Sequence, residues 1–107
     1  MELNQLKDVL DTVGIPVVYH SFQSSGQKVQ QPPYIVYLYV NSDNFGADDK
    51  VYCKQNIVHV ELYTKYKDMQ LENKLEEAFD NSFIYYEKTE LYIKEELMFE
   101  ILYKTSP

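Results

Sequence analysis

Apolar positions near the N-terminus recur at helical spacing. Leu3, Leu6, Leu10 and Val13, with Val9 beside them, form one stripe. Gly14 stands where a left-handed residue ends a helix, and Pro16 follows. The spacing therefore predicts a first helix ending near Gly14. The period then changes. Ile15 to Tyr19 reads as a short strand with proline at its start, which suits an edge. Ser21 to Gln31 is polar, without period, and reads as a loop closed by Pro32-Pro33. Tyr34 to Val40 is β-branched and aromatic on both faces, the mark of a central strand. Asn41 to Asp49 is rich in turn residues and reads as a second loop.

Val51 to Tyr63 predicts a long strand. Val58, Val60 and Leu62 should face the core, and His59, Glu61 and Tyr63 a wetter side. Lys67 to Asn81 predicts a second helix with Asp68 at its start. Leu71, Leu75, Ala78 and Phe79 form its apolar stripe, and Glu72, Lys74, Glu76, Glu77 and Asp80 its solvated side. Residues 83–93 and 96–103 predict two further strands joined through Lys94-Glu95. The order α-β-β-β-α-β-β predicts an α+β domain spanning 1–107. Its sheet of about four to five strands is mostly antiparallel, with both helices on one face.

Composition narrows what such a domain does. The 107 residues carry a formal net charge of −7, and every cationic residue is Lys. Without Arg there is no bidentate clamp for phosphate or guanine, and the acidity opposes nucleic-acid binding. A lone cysteine, Cys53, suits a reducing compartment, and the N-terminus reads as no secretory signal. The apolar runs are too short to predict a membrane span. Tyr is abundant, with 11 copies and no Trp, and suits both half-buried strands and protein interfaces.

No catalytic constellation emerges. Cys53 and His59 share a predicted strand, but six residues at ~3.3 Å each hold them about 20 Å apart. His20 falls in the first loop, and nothing places it near Cys53. The two His and one Cys match no zinc spacing. Asp43, Asp48 and Asp49 do not make a calcium loop, because Phe45 occupies a ligand position. Glu76-Glu77 and Glu95-Glu96 are adjacent and do not converge on one face. Gly14, Gly26 and Gly46 are isolated, so no phosphate loop forms. The expectation is a non-enzymatic binding or assembly protein without metal or cofactor.

Several stretches together carry a resemblance. They are Pro33-Tyr34-Ile35-Val36-Tyr37, the segment from Asn44 to Tyr52, Val60-Glu61-Leu62-Tyr63-Thr64, Lys67-Asp68, Leu71-Glu72, Leu75-Glu76, Tyr85-Tyr86-Glu87-Lys88 and Phe99-Glu100. In this order the chain resembles small tail terminator, tail completion, head–tail joining or minor capsid proteins. These belong to long-tailed phages and prophages of Gram-positive bacteria. The resemblance implies a hexameric ring in the virion neck, assembled in the host cytoplasm. Such a ring caps the tail-tube protein and offers a face to the head connector, and DNA passes through without being gripped. It further implies that Phe45, Asp48 and Asp49 lie at a subunit or tube contact. Tyr37, Tyr39, His59 and Tyr63 would then line a sheet face used in assembly, with the loops at 21–31 and 41–52 forming one interface patch. The alternatives are another neck component, such as a head-closure or minor capsid subunit, or an acidic regulatory or DNA-mimicking binding domain.

Overall fold

Both helices begin on side-chain caps. The computed structural model describes residues 1–47 and 50–107. In α1 (Leu3–Asp11) the Glu2 backbone N–H donates to Gln5 Oε1 at 2.7 Å. In α2 (Met69–Asn81) the Leu71 N–H donates to Asp68 Oδ1 at 3.0 Å. Gly14 turns the chain after α1 with φ +91°, a conformation that costs a residue with a Cβ.

The strands are β1 (Val17–Tyr19), β2 (Tyr34–Ala47), β3 (Lys50–Thr64), β4 (Tyr85–Ile93) and β5 (Met98–Ser106). They form one sheet in the order β1-β2-β3-β5-β4. β1 pairs parallel to β2, and every other neighbouring pair is antiparallel. The fold is therefore α+β, in the predicted element order. Leu6, Leu10 and Val13 from the α1 region and Leu75 and Phe79 from α2 share one buried cluster with Ile35, Val60, Leu62, Ile101 and Tyr103. Both helices thus cover the same sheet face. The alternation on β3 falls as expected, with Val58, Val60 and Leu62 buried on the helix side.

Four expectations need correction. The stretch 41–49 is not a loop up to Ala47. β2 continues to that residue, and β3 returns from Lys50, with seven paired positions from Asn41↔Ile57 to Ala47↔Lys50. Asn, Ser and Asp are poor strand formers alone, but here the opposing strand supplies the ladder partners that override propensity. A register shift between Tyr39 and Asn41 leaves Val40 as an extra residue at the base of this hairpin. Secondly, β4 starts at Tyr85 rather than 83. Phe83 has φ +57° and is 97% exposed, while Ile84 turns into the core. Thirdly, the β4–β5 connection takes residues 94–97, ending in Leu97 with φ +52°. Fourthly, Glu72 is not solvated but 2% exposed.

The hairpin changes the outline of the molecule. β5 accompanies β3 only as far as Val58↔Thr105, and β1 accompanies β2 only to Tyr37. Beyond them the two long strands run on as a two-stranded arm roughly 20 Å long. The radius of gyration is 14.9 Å, against about 13 Å for a compact domain of this length. The longest dimension is 50 Å against 29 and 26 Å for the others.

Candidate interaction surfaces

Register divides the sheet's polar side chains between two faces. On the helix side, Glu72 of α2 is held between Lys67 Nζ at 2.7 Å and Lys88 Nζ at 2.8 Å. Lys88 also pairs with Glu76 at 2.8 Å, and Lys67 reaches Glu90 of β4. The Tyr103 hydroxyl of β5 donates to Glu76 Oε2 at 2.7 Å. Burial pushes the Glu76 carboxyl up. The hydrogen bonds from Lys88 and Tyr103 and the Lys88 charge outweigh this and leave it below the usual range. Burial first, and then the hydrogen bond to Glu76, push the Tyr103 phenol far above its ordinary value. The group ties α2 to β4 and β5. Its carboxylates have cations within reach, as a buried carboxylate requires.

The opposite face is partly open. The loop after β1 returns across it, and Phe22 packs with Val18 and Val36 in a small second cluster bordered by Tyr34, Leu38 and Tyr63. The Phe22 and Tyr34 rings meet edge to face at 5.0 Å. Between this loop, β3 and the β4–β5 turn lies a groove of about 540 Å³. At its floor the Tyr63 hydroxyl stands 2.9 Å from Glu61 Oε1 and 3.1 Å from Glu100 Oε1. A phenol has one hydrogen to donate, so it serves only one carboxylate at a time. Burial raises the Glu61 carboxyl. The Tyr63 hydrogen bond opposes the rise, Glu100 adds to it, and His20 lowers it. Burial and then the two carboxylates raise the Tyr63 phenol strongly. Among the described residues, no lysine approaches Glu61 or Glu100 within 4 Å. His20 at the rim has φ +67° and lies 3.2 Å from Ser24 Oγ through its Nδ1.

Two further surfaces concern the backbone. β4 is an outer strand of nine residues, almost wholly exposed. Tyr85, Leu91 and Tyr92 on it, with Phe83 and Leu97 beside its ends, are large apolar side chains left in water. An outer strand exposes unpaired backbone groups to another chain, and here the apolar residues stand toward its two ends, with Glu87, Lys88 and Glu90 between them. The arm is the other surface, since a two-stranded ribbon is marginally stable without a third strand or a packing partner.

The structure separates the residues expected to share a sheet face. Tyr37 lies on the helix side, buried, with its ring 5.1 Å from that of Tyr19. Tyr39 falls on the same side by register, opposite Val58, and borders a cavity of about 270 Å³ with Leu3 and Pro107. His59 and Tyr63 lie on the open face, where burial and then Lys104 lower the His59 pKa. An odd-to-odd spacing between residues of different strands does not fix their face; only the register does. The loop at 21–31 and the arm likewise form no common patch. Phe22 packs at the Tyr34 end of β2, whereas the arm leaves from the other end. Phe45 is placed by its backbone in the arm, opposite Cys53. Asp48 and Asp49 lie outside the described residues.

Glu61, Glu100, Glu72 and the β4 edge went unrecognised in the sequence. Alternation already put Glu61 beside Tyr63. Glu100 joins them only through the Tyr63↔Glu100 pairing across β3 and β5. Among the described residues no group of three His, Cys, Asp or Glu is arranged to hold a metal ion. Among the described residues, no helix is long and apolar enough to cross a membrane. In comparisons with known proteins, no family model and no curated protein matches the chain.

Proposed function

We propose that this chain is a virion assembly subunit: a ring-forming tail terminator that caps the tail tube and joins it to the head connector. The observation that carries the proposal is a pair of unlike association surfaces on one small domain. The arm projects from one end of β2 and β3, and the outer strand β4, with Tyr85, Leu91 and Tyr92 exposed on it, lies at the far edge of the sheet. A closed ring needs two different patches per subunit, each meeting the other's counterpart. The motif resemblance described above supplies the biological setting, and the acidic, Arg-free composition suits a bore through which DNA slides without being held.

The test is reconstitution. Purified chain is added to polymerising tail-tube protein from the same phage or prophage. A terminator stops elongation and sediments with the tube ends as a ring. Tubes that grow unchecked with no chain attached would overturn the proposal. Capture by portal or adaptor protein instead of tube protein would move the chain to another position in the neck.

A further inference from the structure

The groove on the open sheet face contains an electrostatic arrangement that the rest of the molecule resolves differently. On the helix side, a phenol donating to a carboxylate is accompanied by a lysine: Tyr103, Glu76 and Lys88 are joined by contacts of 2.7 and 2.8 Å. On the open side a phenol faces two carboxylates, Glu61 and Glu100, with no lysine within 4 Å among the described residues. Two carboxylates on one hydroxyl repel unless a proton or a cation stands with them. Glu61 and Glu96 line the groove itself, and Glu100 adjoins it through its contact with the Tyr63 hydroxyl.

The remaining walls are mixed: His20, Ser21, Gln23, Gln30 and Gln31 from the loop line one side, and His20 is the basic group that faces Glu61. Phe22, Tyr34, Val36, Ile93 and Met98 supply the apolar part of the lining beside the acids. We propose that this groove docks a Lys or Arg side chain presented by an extended segment of a partner protein. The aliphatic stem would lie against Met98 and Ile93, and the charged head would reach Glu61 and Glu100 beside Tyr63. The half-buried Tyr34 ring favours a guanidinium, which stacks on aromatic faces. A bare metal ion suits the site poorly. The volume of about 540 Å³ exceeds one ion's needs, and two carboxylates with a phenol fall short of the six to eight oxygens of a calcium site. The charge complementarity is local to this face, so the inference does not depend on ring formation.

The test uses N-acetyl-arginine-methylamide and its neutral citrulline counterpart, titrated into the ¹⁵N-labelled full chain and followed by two-dimensional NMR. The expected result is saturable movement of the Phe22, Tyr63 and Glu100 amide signals with the arginine probe and none with citrulline. The variant E61Q/E100Q should bind the arginine probe about tenfold or more weakly, a loss of about 1.4 kcal/mol. The variant E77Q/D80N, which removes the same charge from the exposed side of α2, should bind as the parent does. Equal movement by arginine and citrulline would overturn the proposal. So would the absence of saturable movement, or equal weakening in both double variants. Because the citrulline comparison uses the parent chain, the proposal is decided even if E61Q/E100Q fails to fold.

Discussion

The two faces of the sheet carry the same chemical pair, a tyrosine hydroxyl on a glutamate, and treat it in opposite ways. Under the helices, Tyr103 and Glu76 sit in a network that includes Lys67, Lys88 and the buried Glu72. Charge is balanced inside the molecule, and the network fastens α2 to the strands. On the open face, Tyr63 meets Glu61 and Glu100 beside a groove, with no lysine in the contact among the described residues. The difference separates two uses of buried polarity. A carboxylate given its own lysine fixes a fold, whereas one with only a rim histidine nearby reserves that place for a proton or for something that arrives.

The comparison breaks most visibly if the lysines are removed. K67M/K88M should cost about 3–5 kcal/mol in urea unfolding, because it leaves Glu72 buried without a cation. The corresponding change on the open face, Lys104→Met, should stay within about 0.5 kcal/mol. A loss of the same size in both would mean that the faces do not differ as described.

Removing the hydroxyls sharpens the contrast. Tyr103→Phe deletes a hydrogen bond to a charged group and should cost about 1.5–3 kcal/mol. Tyr63→Phe should cost less, about 1 kcal/mol, because its partners can turn to the groove and be hydrated. Thermal unfolding of the two variants side by side settles the order.

A third change separates stability from association. Leu91→Lys on the β4 edge should move stability by no more than about 0.5 kcal/mol, since the side chain is 56% exposed. The same change should sharply reduce ring formation on tail tubes, because charge on an edge strand blocks strand addition. Unfolding curves together with tube-end sedimentation check both halves.

The smallest effect concerns pH. The Glu61 carboxyl is raised in the folded chain, so its stabilising contribution is present in acid and is lost as pH rises through its folded value. Glu61→Gln keeps an acceptor for Tyr63 and removes the charge. The variant should match the parent in acid and become the more stable of the two near neutral pH. Urea midpoints across the pH range would show the curves parting upward.

Much of the fold was legible in the chain. The helical stripe Leu6-Leu10-Val13 and the alternation Val58-Val60-Leu62 each follow one local period and fall in the core, whereas Leu3, at the start of the same stripe, stays exposed. The arm was not legible, because Asn41 to Asn44 have turn propensities that only cross-strand pairing with residues 54–57 overrides. Glu72 was hidden for a related reason. A charge on the flank of an amphipathic stripe reads as solvated until Lys67 and Lys88 are brought to it from outside α2. The open-face site was half visible, since Glu61 and Tyr63 share a strand face by parity, whereas Glu100 lies 37 residues further on and joins them by register alone.

The contrast between the faces is tested most directly by titrating the glutamate side-chain carboxyl carbons by ¹³C NMR in a single sample of the intact chain. Burial and Glu100 hold Glu61 above the ordinary glutamate range, while Lys88 and Tyr103 hold Glu76 below it against its own burial. Glu76 should therefore lose its proton first as pH rises, and Glu61 distinctly later. If the two carboxyls titrate together, or in the reverse order, the open face has no unmet charge and the account fails.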